Sequence, residues 1–361
     1  MTRRLMEGSE AIAESGVLAG CRFFTGYPMT PFTEVLEYFA AKLPAVGGHC
    51  INAESELEAV GMAWGAASTG ARAATGSTGQ GLSLMQESFS EMTMAGLPIL
   101  LFNMARGQFD YFQATRGGGH GDYRMPVLCP LDVVEAVEHV QLGFHLADKW
   151  RTPVLFLGDY LLAHTYQAVD VQRIEFDEAL PPKDWTVDGT LSGTGDSRIV
   201  TSLGFDKAGR PFIGPEKHWR AMTAKQKRIE ASEVRVEVGY CDDADVVVVA
   251  YGTLAKFVRY VVREMRDEGR KIGYVRPITL WPFPYQALAD VSEGKRLVAV
   301  MENNAGQMID DVRLGVLGRA PVEFIGCIST DDAGFGVGGI YNPDFVRARI
   351  EAAYAGEELP V

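Results

Sequence analysis

The sequence predicts an α/β protein with two open, mostly parallel sheets, and three observations lead to this fold class. Short apolar runs alternate with longer stretches of helical periodicity, the pattern of parallel strands joined by helices. Residues 99–104 and 245–250 are almost continuously apolar, as expected for strands buried on both faces. The alternation stops in the middle of the chain and then resumes. We therefore divide the chain into an α/β domain at residues 1–170, a linker with a charged helix at residues 171–235, and a smaller α/β domain at residues 236–361.

The first elements lead to a proline-containing loop. Residues 6–20 have the apolar spacing of an amphipathic helix, and residues 22–25 read as a short strand. Residues 26–31, GYPMTP, must form a loop because two prolines interrupt regular structure, and a helix follows to about residue 43. A strand that ends in a loop before a helix is where an open α/β sheet places its ligand contacts.

Residues 51–87 contain the densest group of candidate functional residues. Asn52 is a suitable N-cap for a helix that carries acidic residues in its first turn and glycines further along. A short strand at residues 71–75 and a Gly-rich loop at residues 76–81 follow, and the next helix is predicted over residues 82–95. A strand, a Gly-rich turn and a helix N-terminus form a suitable site for a polar ligand.

The remaining elements repeat the same alternation. After the strand at residues 99–104 comes a long irregular stretch, residues 108–130, of the kind that often carries binding loops. Further helices are predicted at residues 131–149 and 215–233, and another follows residues 251–253 and extends to about residue 268. Further strands are predicted at residues 153–158, 245–250, 271–275, 296–301 and 322–327.

Composition excludes several classes of function. The 361 residues are 47% apolar and 22% charged, as in a globular protein long enough for two domains. The net charge is −13 without a long basic run, which argues against nucleic acid or an anionic membrane as a partner. Acidic residues interrupt the N-terminal segment, so neither a signal peptide nor a membrane span is expected. Five scattered cysteines without a CxxC pair fit reduced thiols of a cytoplasmic protein and argue against an iron–sulfur cluster in this chain.

Five passages together resemble one family. The chain resembles the α subunit of the 2-oxoacid:ferredoxin oxidoreductases over residues 5–350, essentially its whole length. The passages are GYPMTP at 26–31, ESE at 54–56 with GA at 65–66, STGQG at 77–81 with LMQE at 84–87, VRPITLWP at 275–282, and ENNAGQ at 302–307. The resemblance implies a pyrimidine-type thiamine diphosphate-binding fold followed by a smaller α/β domain like the C-terminal domain of transketolase.

The same resemblance implies an activity. Members of this family decarboxylate a 2-oxoacid oxidatively, transfer the acyl group to coenzyme A and reduce ferredoxin. Residues 110–124 look like the branched-chain type, whereas residues 162–165 depart from the expected pattern. The resemblance is therefore compatible with a branched-chain 2-oxoacid or 2-oxoglutarate as substrate, and with ferredoxin, flavodoxin or NAD as acceptor.

By alignment with the family motif, Glu56 is the catalytic acid, nine residues before Gly65. A carboxyl group at N1′ of the aminopyrimidine favours the imino tautomer, whose nitrogen can then take the C2 proton of the cofactor. Glu54 is the competing candidate. Without the resemblance, a glutamate in a first helical turn is more often a surface residue that interacts with the helix dipole.

The resemblance also assigns substrate and cofactor contacts. Thr30 and Arg106 match the family's substrate-binding residues, and Tyr27 and Pro28 lie in the same loop as Thr30. The role suits Arg106 because a guanidinium can bind a carboxylate with two hydrogen bonds. Structural alternatives are a helix cap for Thr30 and a surface loop residue for Arg106. The cofactor-binding residues lie in the Gly-rich loop, which lacks the Lys-Ser/Thr of a phosphate-binding P-loop: Thr78, Gly79 and Gly81.

Part of the cofactor site is missing from the sequence. The metal signature of thiamine enzymes, Gly-Asp-Gly followed by a distant Asn-Asn, is not met by Gly158-Asp159-Tyr160, so no metal ligand is expected in this chain. The resemblance implies a β subunit that supplies the pyrophosphate site, Mg²⁺ and a [4Fe–4S] cluster in an (αβ)₂ assembly, with a separate γ or δ subunit left open. The alternative is a noncatalytic α/β subunit that only stabilises a partner.

Three further polar segments have both a functional and a structural interpretation. Residues 116–124 suit either a binding loop or a solvated turn with internal ion pairs. Residues 252–253 and 302–304 are interpreted as structural turns rather than ligand contacts.

Overall fold

The computed structural model describes residues 3–187, 202, 214–329 and 342–357. The strands are β1 Arg4–Glu7, β2 Phe23–Gly26, β3 His49–Asn52, β4 Ala73–Ser77, β5 Ile99–Ala105, β6 Val127–Leu128, β7 Val154–Asp159, β8 Tyr166–Val169, β9 Val236–Gly239, β10 Val246–Val249, β11 Ile272–Pro277, β12 Thr279–Trp281, β13 Leu297–Val300 and β14 Val322–Phe324. The helices are α1 Gly8–Leu18, α2 Thr33–Lys42, α3 Glu56–Ser68, α4 Gly79–Leu84, α5 Gln86–Ala95, α6 Tyr111–Thr115, α7 Val133–Trp150, α8 Tyr160–His164, α9 Pro215–Ser232, α10 Gly252–Asp267, α11 Tyr285–Ser292, α12 Met308–Val316 and α13 Pro343–Ala355.

The larger sheet has seven strands in the order β12-β6-β7-β5-β4-β2-β3. All neighbours are parallel except β12, which runs antiparallel to β6. Every residue of β4 and β5 is buried, as expected for central strands covered by helices on both faces. Because β2, β4 and β5 are parallel neighbours, the loops that follow them leave from the same edge of the sheet, which is where an open α/β sheet binds ligands.

The smaller sheet has five strands in the order β14-β13-β10-β11-β9. Its strands are parallel apart from β9, which pairs antiparallel with β11 at the edge. The strand β12, which was not predicted, joins the larger sheet through β6. The α/β fold class with two mostly parallel sheets is confirmed. Within the described residues, none of the helices combines the length and apolar character needed to cross a membrane.

Several predicted boundaries were wrong for local reasons. The helix predicted at residues 6–20 begins at Gly8, because residues 4–7 pair antiparallel with β8. The helix predicted at residues 82–95 begins at Gly79 and is divided at Met85 into α4 and α5. Ser55, not Asn52, is the N-cap of α3, so the helix starts later than Asn52 would place it.

Some elements were not predicted at all. The strand β3 is partly exposed at the sheet edge and lacks an apolar run, so it does not show in the hydrophobic pattern. The helices α12 and α13 were also missed, although α12 follows directly on the ENNAGQ passage.

Candidate active site

The first turn of α3 directs Glu56 into the protein. Ser55 accepts a hydrogen bond from the Glu58 backbone N–H at 3.3 Å, and the Glu58 carboxylate accepts one from the Glu54 N–H at 2.9 Å. Together they form a variant of the capping box, in which Glu58 bonds to the N–H of the residue before the N-cap Ser55, and they fix where the helix begins. Glu56 is therefore only 5% exposed, whereas Glu54 and Glu58 lie in solvent. Glu56 therefore differs from Glu54, the competing candidate, in that its side chain is buried.

A compact wall of small residues surrounds the Glu56 carboxylate. Ser77, the last residue of β4, donates a hydrogen bond from its hydroxyl to Glu56 Oε1 at 3.1 Å. A methyl group at Gly81 would lie 2.2 Å from Glu56 Oε1 and 2.0 Å from Ser77 Oγ, so only glycine fits without displacing the carboxylate. Between them, the Thr78 hydroxyl is buried and has no hydrogen-bond partner among the described residues. We call Glu56, Ser77, Thr78 and Gly81 the Glu56 cradle.

The two residues predicted to bind substrate meet across the strand ends. Arg106, which directly follows β5, donates from Nε to the Thr30 carbonyl at 3.2 Å. Within the described ranges, the two Nη groups of Arg106 have no hydrogen-bond partner. Thr30 is exposed, as are Tyr27 and Pro28 in the same loop, and its peptide bond to Pro31 is cis. The half-buried guanidinium of Arg106 therefore lies beside the exposed loop that carries the Thr30 hydroxyl.

Asp110 links the Arg106 loop to the N-terminus of α4. Its carboxylate accepts hydrogen bonds from the Gly79 backbone N–H at 3.3 Å, from the Asn103 side chain at 3.1 Å and from the Gln113 side chain at 2.7 Å. Burial raises the pKa of Asp110, and these hydrogen bonds together with the Arg106 charge oppose that shift. Neither Asp110 nor Ser77 was predicted as a site residue, although Ser77 lies in the STGQG passage and Asp110 begins the segment 110–124 that looks like the branched-chain type.

The Gly-rich segment at residues 116–124 packs against α5. Gly118 donates its N–H to Gln86 Oε1 at 2.9 Å, and the Tyr123 hydroxyl donates to the same oxygen at 3.2 Å. A methyl at Gly119 would lie 2.4 Å from the Gln86 carbonyl, so the chain passes directly over the helix. His120 at its tip is exposed. The segment therefore packs against α5 through Gln86 and is not a turn surrounded only by solvent.

The polar segments at residues 252–253 and 302–304 make contacts within the protein, and residues 252–253 begin helix α10 and do not form a separate turn. The buried Glu302 carboxylate accepts backbone N–H groups at the start of α12, with Met308 N at 2.7 Å and Ile309 N at 3.0 Å. The Thr253 hydroxyl donates to Asp159, which joins the two sheets. Among the residues that the structure describes, no group of three or more His, Cys, Asp or Glu side chains could hold a metal ion.

One side of α3 remains open next to the Glu56 cradle. Leu57 is 48% exposed, Met62 38% and Leu84 of α4 46%. A methyl group at Gly61 or Gly65 would meet no atom within 4 Å. We call these five residues the α3 face. Exposed apolar side chains grouped in this way are typical of an interaction surface.

Two family descriptions match the chain. Residues 14–188 match the family described as pyruvate flavodoxin/ferredoxin oxidoreductase, thiamine diP-bdg. Residues 244–334 match the family described as pyruvate:ferredoxin oxidoreductase core domain II. The first match contains the Glu56 cradle, Thr30 and Arg106, and the second contains most of the smaller sheet.

Relatives agree with these matches along most of the chain. The ketoisovalerate oxidoreductase subunit VorB of Methanothermobacter thermautotrophicus is 36% identical over 324 residues, which cover 87% of this chain and 90% of the relative. The 2-oxoglutarate synthase subunit KorA of Methanothermobacter marburgensis is 32% identical, with 96% of this chain and 97% of the relative covered.

Solved structures show the same architecture. The 2-oxoglutarate:ferredoxin oxidoreductase from Magnetococcus marinus superposes with a TM-score of 0.79 and 26% identity over 97% of this chain. This chain spans 65% of the length of that solved chain. A split-gene transketolase, described as an inactive β4 tetramer, has a TM-score of 0.56 and 15% identity, a likeness of fold alone.

The resemblance drawn from the five sequence passages is therefore confirmed. The relatives are subunits of multisubunit oxidoreductases, and the matched N-terminal family binds thiamine diphosphate. From its fold, its two matched regions and its identity to these relatives, the chain belongs to the 2-oxoacid:ferredoxin oxidoreductases, as a subunit that contains their thiamine diphosphate-binding domain.

Proposed function

We propose that this chain is the α subunit of a 2-oxoacid:ferredoxin oxidoreductase and holds the aminopyrimidine of thiamine diphosphate against Glu56. The Glu56 cradle is the observation that carries the proposal. A buried carboxylate at a helix start, a hydroxyl bonded to it and a glycine packed closely against it suit a planar ring with a protonatable nitrogen. The partnerless Thr78 hydroxyl offers a further polar contact to such a ring.

In this role Glu56 holds a proton at N1′ of the aminopyrimidine, and Ser77 orients the carboxylate through its hydrogen bond to Oε1. When bound, thiamine diphosphate supplies the nucleophilic carbon that adds to the keto carbon of the substrate. Burial of the cradle excludes water from the Glu56 carboxyl, which strengthens its interaction with the ring nitrogen. Thr78, Gly79 and Gly81 line the same loop and are proposed as cofactor contacts.

We propose that Arg106 and Thr30 bind the substrate carboxylate, with Tyr27 and Pro28 completing that wall. The hydrogen bond from Arg106 Nε to the Thr30 carbonyl sets the plane of the guanidinium. Its Nη groups are then available for a carboxylate. The net reaction converts a 2-oxoacid and coenzyme A to acyl-CoA and carbon dioxide. Two electrons pass to ferredoxin, and one proton is released to the solvent. The names of the relatives support a branched-chain 2-oxoacid or 2-oxoglutarate as the substrate.

Replacing Arg106 with lysine is expected to lower kcat/KM for the 2-oxoacid about tenfold to a hundredfold. Lysine keeps the charge but loses the forked geometry, and hydrogen bonds to charged groups contribute about 1.5–3 kcal/mol. Steady-state kinetics of the reconstituted complex measure the change. The matched control is Arg22→Lys, at the opposite end of β2, where kcat/KM is expected to stay unchanged. An unchanged value for Arg106→Lys would remove Arg106 from the substrate site.

We propose that a β subunit supplies the pyrophosphate site, Mg²⁺ and a [4Fe–4S] cluster, in an (αβ)₂ assembly that reduces ferredoxin. The α3 face, which lies next to the Glu56 cradle, is the proposed contact with that subunit.

We also propose residues 1–170 and 236–361 as domains joined by the linker 171–235. The five unpaired cysteines support a cytoplasmic location.

Replacing Gly61 with arginine is expected to prevent assembly with the β subunit while the chain itself stays folded. No atom lies within 4 Å of a side chain started at Gly61, so the fold has room for the substitution, whereas a docked partner would meet a buried charge. Sedimentation velocity of the mixed subunits measures assembly, and thermal unfolding of the chain alone measures folding. Ala221→Arg, on the exposed side of α9, is the control that should still assemble.

The proposed function is tested by reconstitution. The chain mixed with its β subunit, thiamine diphosphate and Mg²⁺ should reduce ferredoxin when a 2-oxoacid and coenzyme A are both present. Neither subunit alone should do so. Turnover by the purified chain alone, or a failure of the assembled complex with every 2-oxoacid tested, would contradict the proposal.

A further inference from the structure

One face of the segment that follows Arg106 is held by the smaller domain. The Gln108 side chain donates to the Tyr251 carbonyl at 2.9 Å and accepts from the Asn303 N–H at 2.8 Å. The Gln108 carbonyl accepts from the Asn304 side chain at 2.8 Å and from the Tyr251 hydroxyl at 3.2 Å. Two residues after Arg106, the chain is therefore already docked on the loops after β10 and β13.

The helix α12 fixes the next turn of this segment. The Gln307 side chain bonds to both ends of this turn: it accepts a hydrogen bond from the Phe112 N–H at 2.9 Å and donates one to the Phe109 carbonyl at 2.9 Å. One turn later, the Asp311 carboxylate accepts from the Tyr111 hydroxyl at 2.6 Å and from Arg116 at 2.7 Å. These contacts join residues about 200 positions apart in the chain.

Asp311 is placed to act as the anchor of this arrangement. It is buried in the first turn of α12, where a negative charge is favoured by the helix dipole, and its second oxygen accepts from the Tyr285 hydroxyl at 2.6 Å. Tyr111 is fully buried as well. Burial and the Asp311 charge raise the pKa of Tyr111 well above its usual range, so its hydroxyl stays protonated and keeps donating.

The other face of the segment contacts the active site. Asp110 accepts the Gly79 N–H, and the Gln113 side chain donates to the Gly79 carbonyl at 3.2 Å. Gly79 begins α4, the helix whose Gly81 lies over the Glu56 carboxylate. The segment therefore lies between α12 on one side and both Arg106 and the α4 N-terminus on the other.

We propose that Asp311 of helix α12 and Gln307, its N-cap, are positioning residues for Arg106. Asp311 holds Tyr111, and Gln307 holds the turn from Phe109 to Phe112. By fixing residues 108–116 in this way, they set Arg106 against Thr30 for substrate binding. This inference rests on the proposed role of Arg106 in binding the substrate carboxylate. It assigns a function to the smaller sheet, which places the substrate-binding arginine without touching the substrate.

The test compares Tyr111→Phe with two matched controls in the reconstituted complex. Tyr111→Phe removes one oxygen and with it the buried hydrogen bond from Tyr111 to Asp311, while the contact from Arg116 to Asp311 is kept. Tyr285→Phe removes the other phenol from the same carboxylate but leaves the segment in place. Tyr274→Phe removes a buried phenol bonded to Glu237 at 2.6 Å elsewhere in the same sheet, and controls for general loss of stability.

Tyr111→Phe is expected to raise KM for the 2-oxoacid about tenfold, within the range that mutations along such a connection produce, while kcat per assembled site changes less. Both control variants should keep the wild-type KM. Gln307→Leu, at a half-buried position, gives an independent second disruption and should also raise KM. A purely structural role would lower the active fraction and leave KM unchanged, which would overturn the proposal.

A second readout does not depend on turnover. Phenylglyoxal modifies accessible guanidinium groups, and the rate at which Arg106 is modified can be followed by mass spectrometry of the assembled complex. The rate should rise in Tyr111→Phe and Gln307→Leu and stay at the wild-type value in Tyr285→Phe. Equal rates in all variants would refute the positional link. Absence of 2-oxoacid turnover in the wild-type complex would instead refute the proposed function, so the two failures are distinguishable.

Discussion

Replacing Glu56 with glutamine is expected to lower the turnover of the reconstituted complex by about 10²–10⁴-fold, the contribution typical of a positioned general acid. Glutamine has nearly the same shape and can still accept the Ser77 hydrogen bond, so the cradle should keep its geometry. It cannot hold an exchangeable proton at the ring nitrogen as a carboxyl group does. Ferredoxin reduction, measured per assembled complex, reports the loss.

Glu54→Gln is the matched control for this prediction. Glu54 lies two residues earlier, carries the same functional group and is exposed, with only its backbone N–H engaged in the capping box. Turnover of this variant should stay within about twofold of the wild-type value, as is usual for an exposed residue away from the chemistry. If Glu56→Gln turned over like wild type, the chain would be the noncatalytic stabilising subunit of the alternative hypothesis.

Replacing Gly81 with alanine is expected to lower kcat/KM about a hundredfold, because a displacement of the reacting groups by roughly 1 Å has effects of this size. The added methyl would lie 2.2 Å from Glu56 Oε1 and 2.0 Å from Ser77 Oγ, so the carboxylate must move away from the ring nitrogen. Steady-state kinetics and thiamine diphosphate titration of the complex measure the loss. Unchanged kinetics would show that the Glu56 oxygen next to Gly81 does not face the cofactor.

A stability control accompanies this prediction. Overpacking costs about 1–3 kcal/mol, so Gly81→Ala also lowers the unfolding temperature of the chain. Gly65→Ala adds the same methyl group on the open side of α3, where no atom lies within 4 Å. That variant should be as stable as the wild type or more stable, by up to about 1 kcal/mol, because alanine is the better helix former.

The alternating architecture could be predicted from the sequence because apolar periodicity is a local signal. Central strands such as β5 are apolar along their length and were placed within one or two residues. The edge strand β3 and the crossing strand β12 were not predicted, since their pairing depends on contacts far away in the chain. No local pattern in residues 279–281 indicates that they join the larger sheet.

Candidate site residues could be proposed from the family motif, but their geometry could not be predicted from the sequence. Glu56 was separated from Glu54 by family motif alone, whereas in the structure the distinction depends on the Ser55–Glu58 capping box and on Gly81, 25 positions further along. The contact between Thr30 and Arg106 spans 76 positions. Sequence periodicity contains no information on such distances, so the roles of Ser77 and Asp110 were missed.

The same limit applies to the smaller sheet. Residues 252–253 and 302–304 were interpreted as structural turns, but residues 252–253 begin helix α10. Their partners in the segment after Arg106 lie about 200 positions earlier, and only the folded structure brings Asp311 to Tyr111.

The central claim is that Glu56 activates thiamine diphosphate, and exchange of the cofactor's C2 hydrogen tests it most directly. Complexes loaded with cofactor and transferred to deuterated water are quenched in acid after short intervals, and the C2 proton signal is followed by nuclear magnetic resonance. The wild-type complex should exchange this hydrogen about 10²–10⁴-fold faster than the Glu56→Gln complex, in line with general acid–base catalysis. Equal exchange rates in the two complexes would contradict the account.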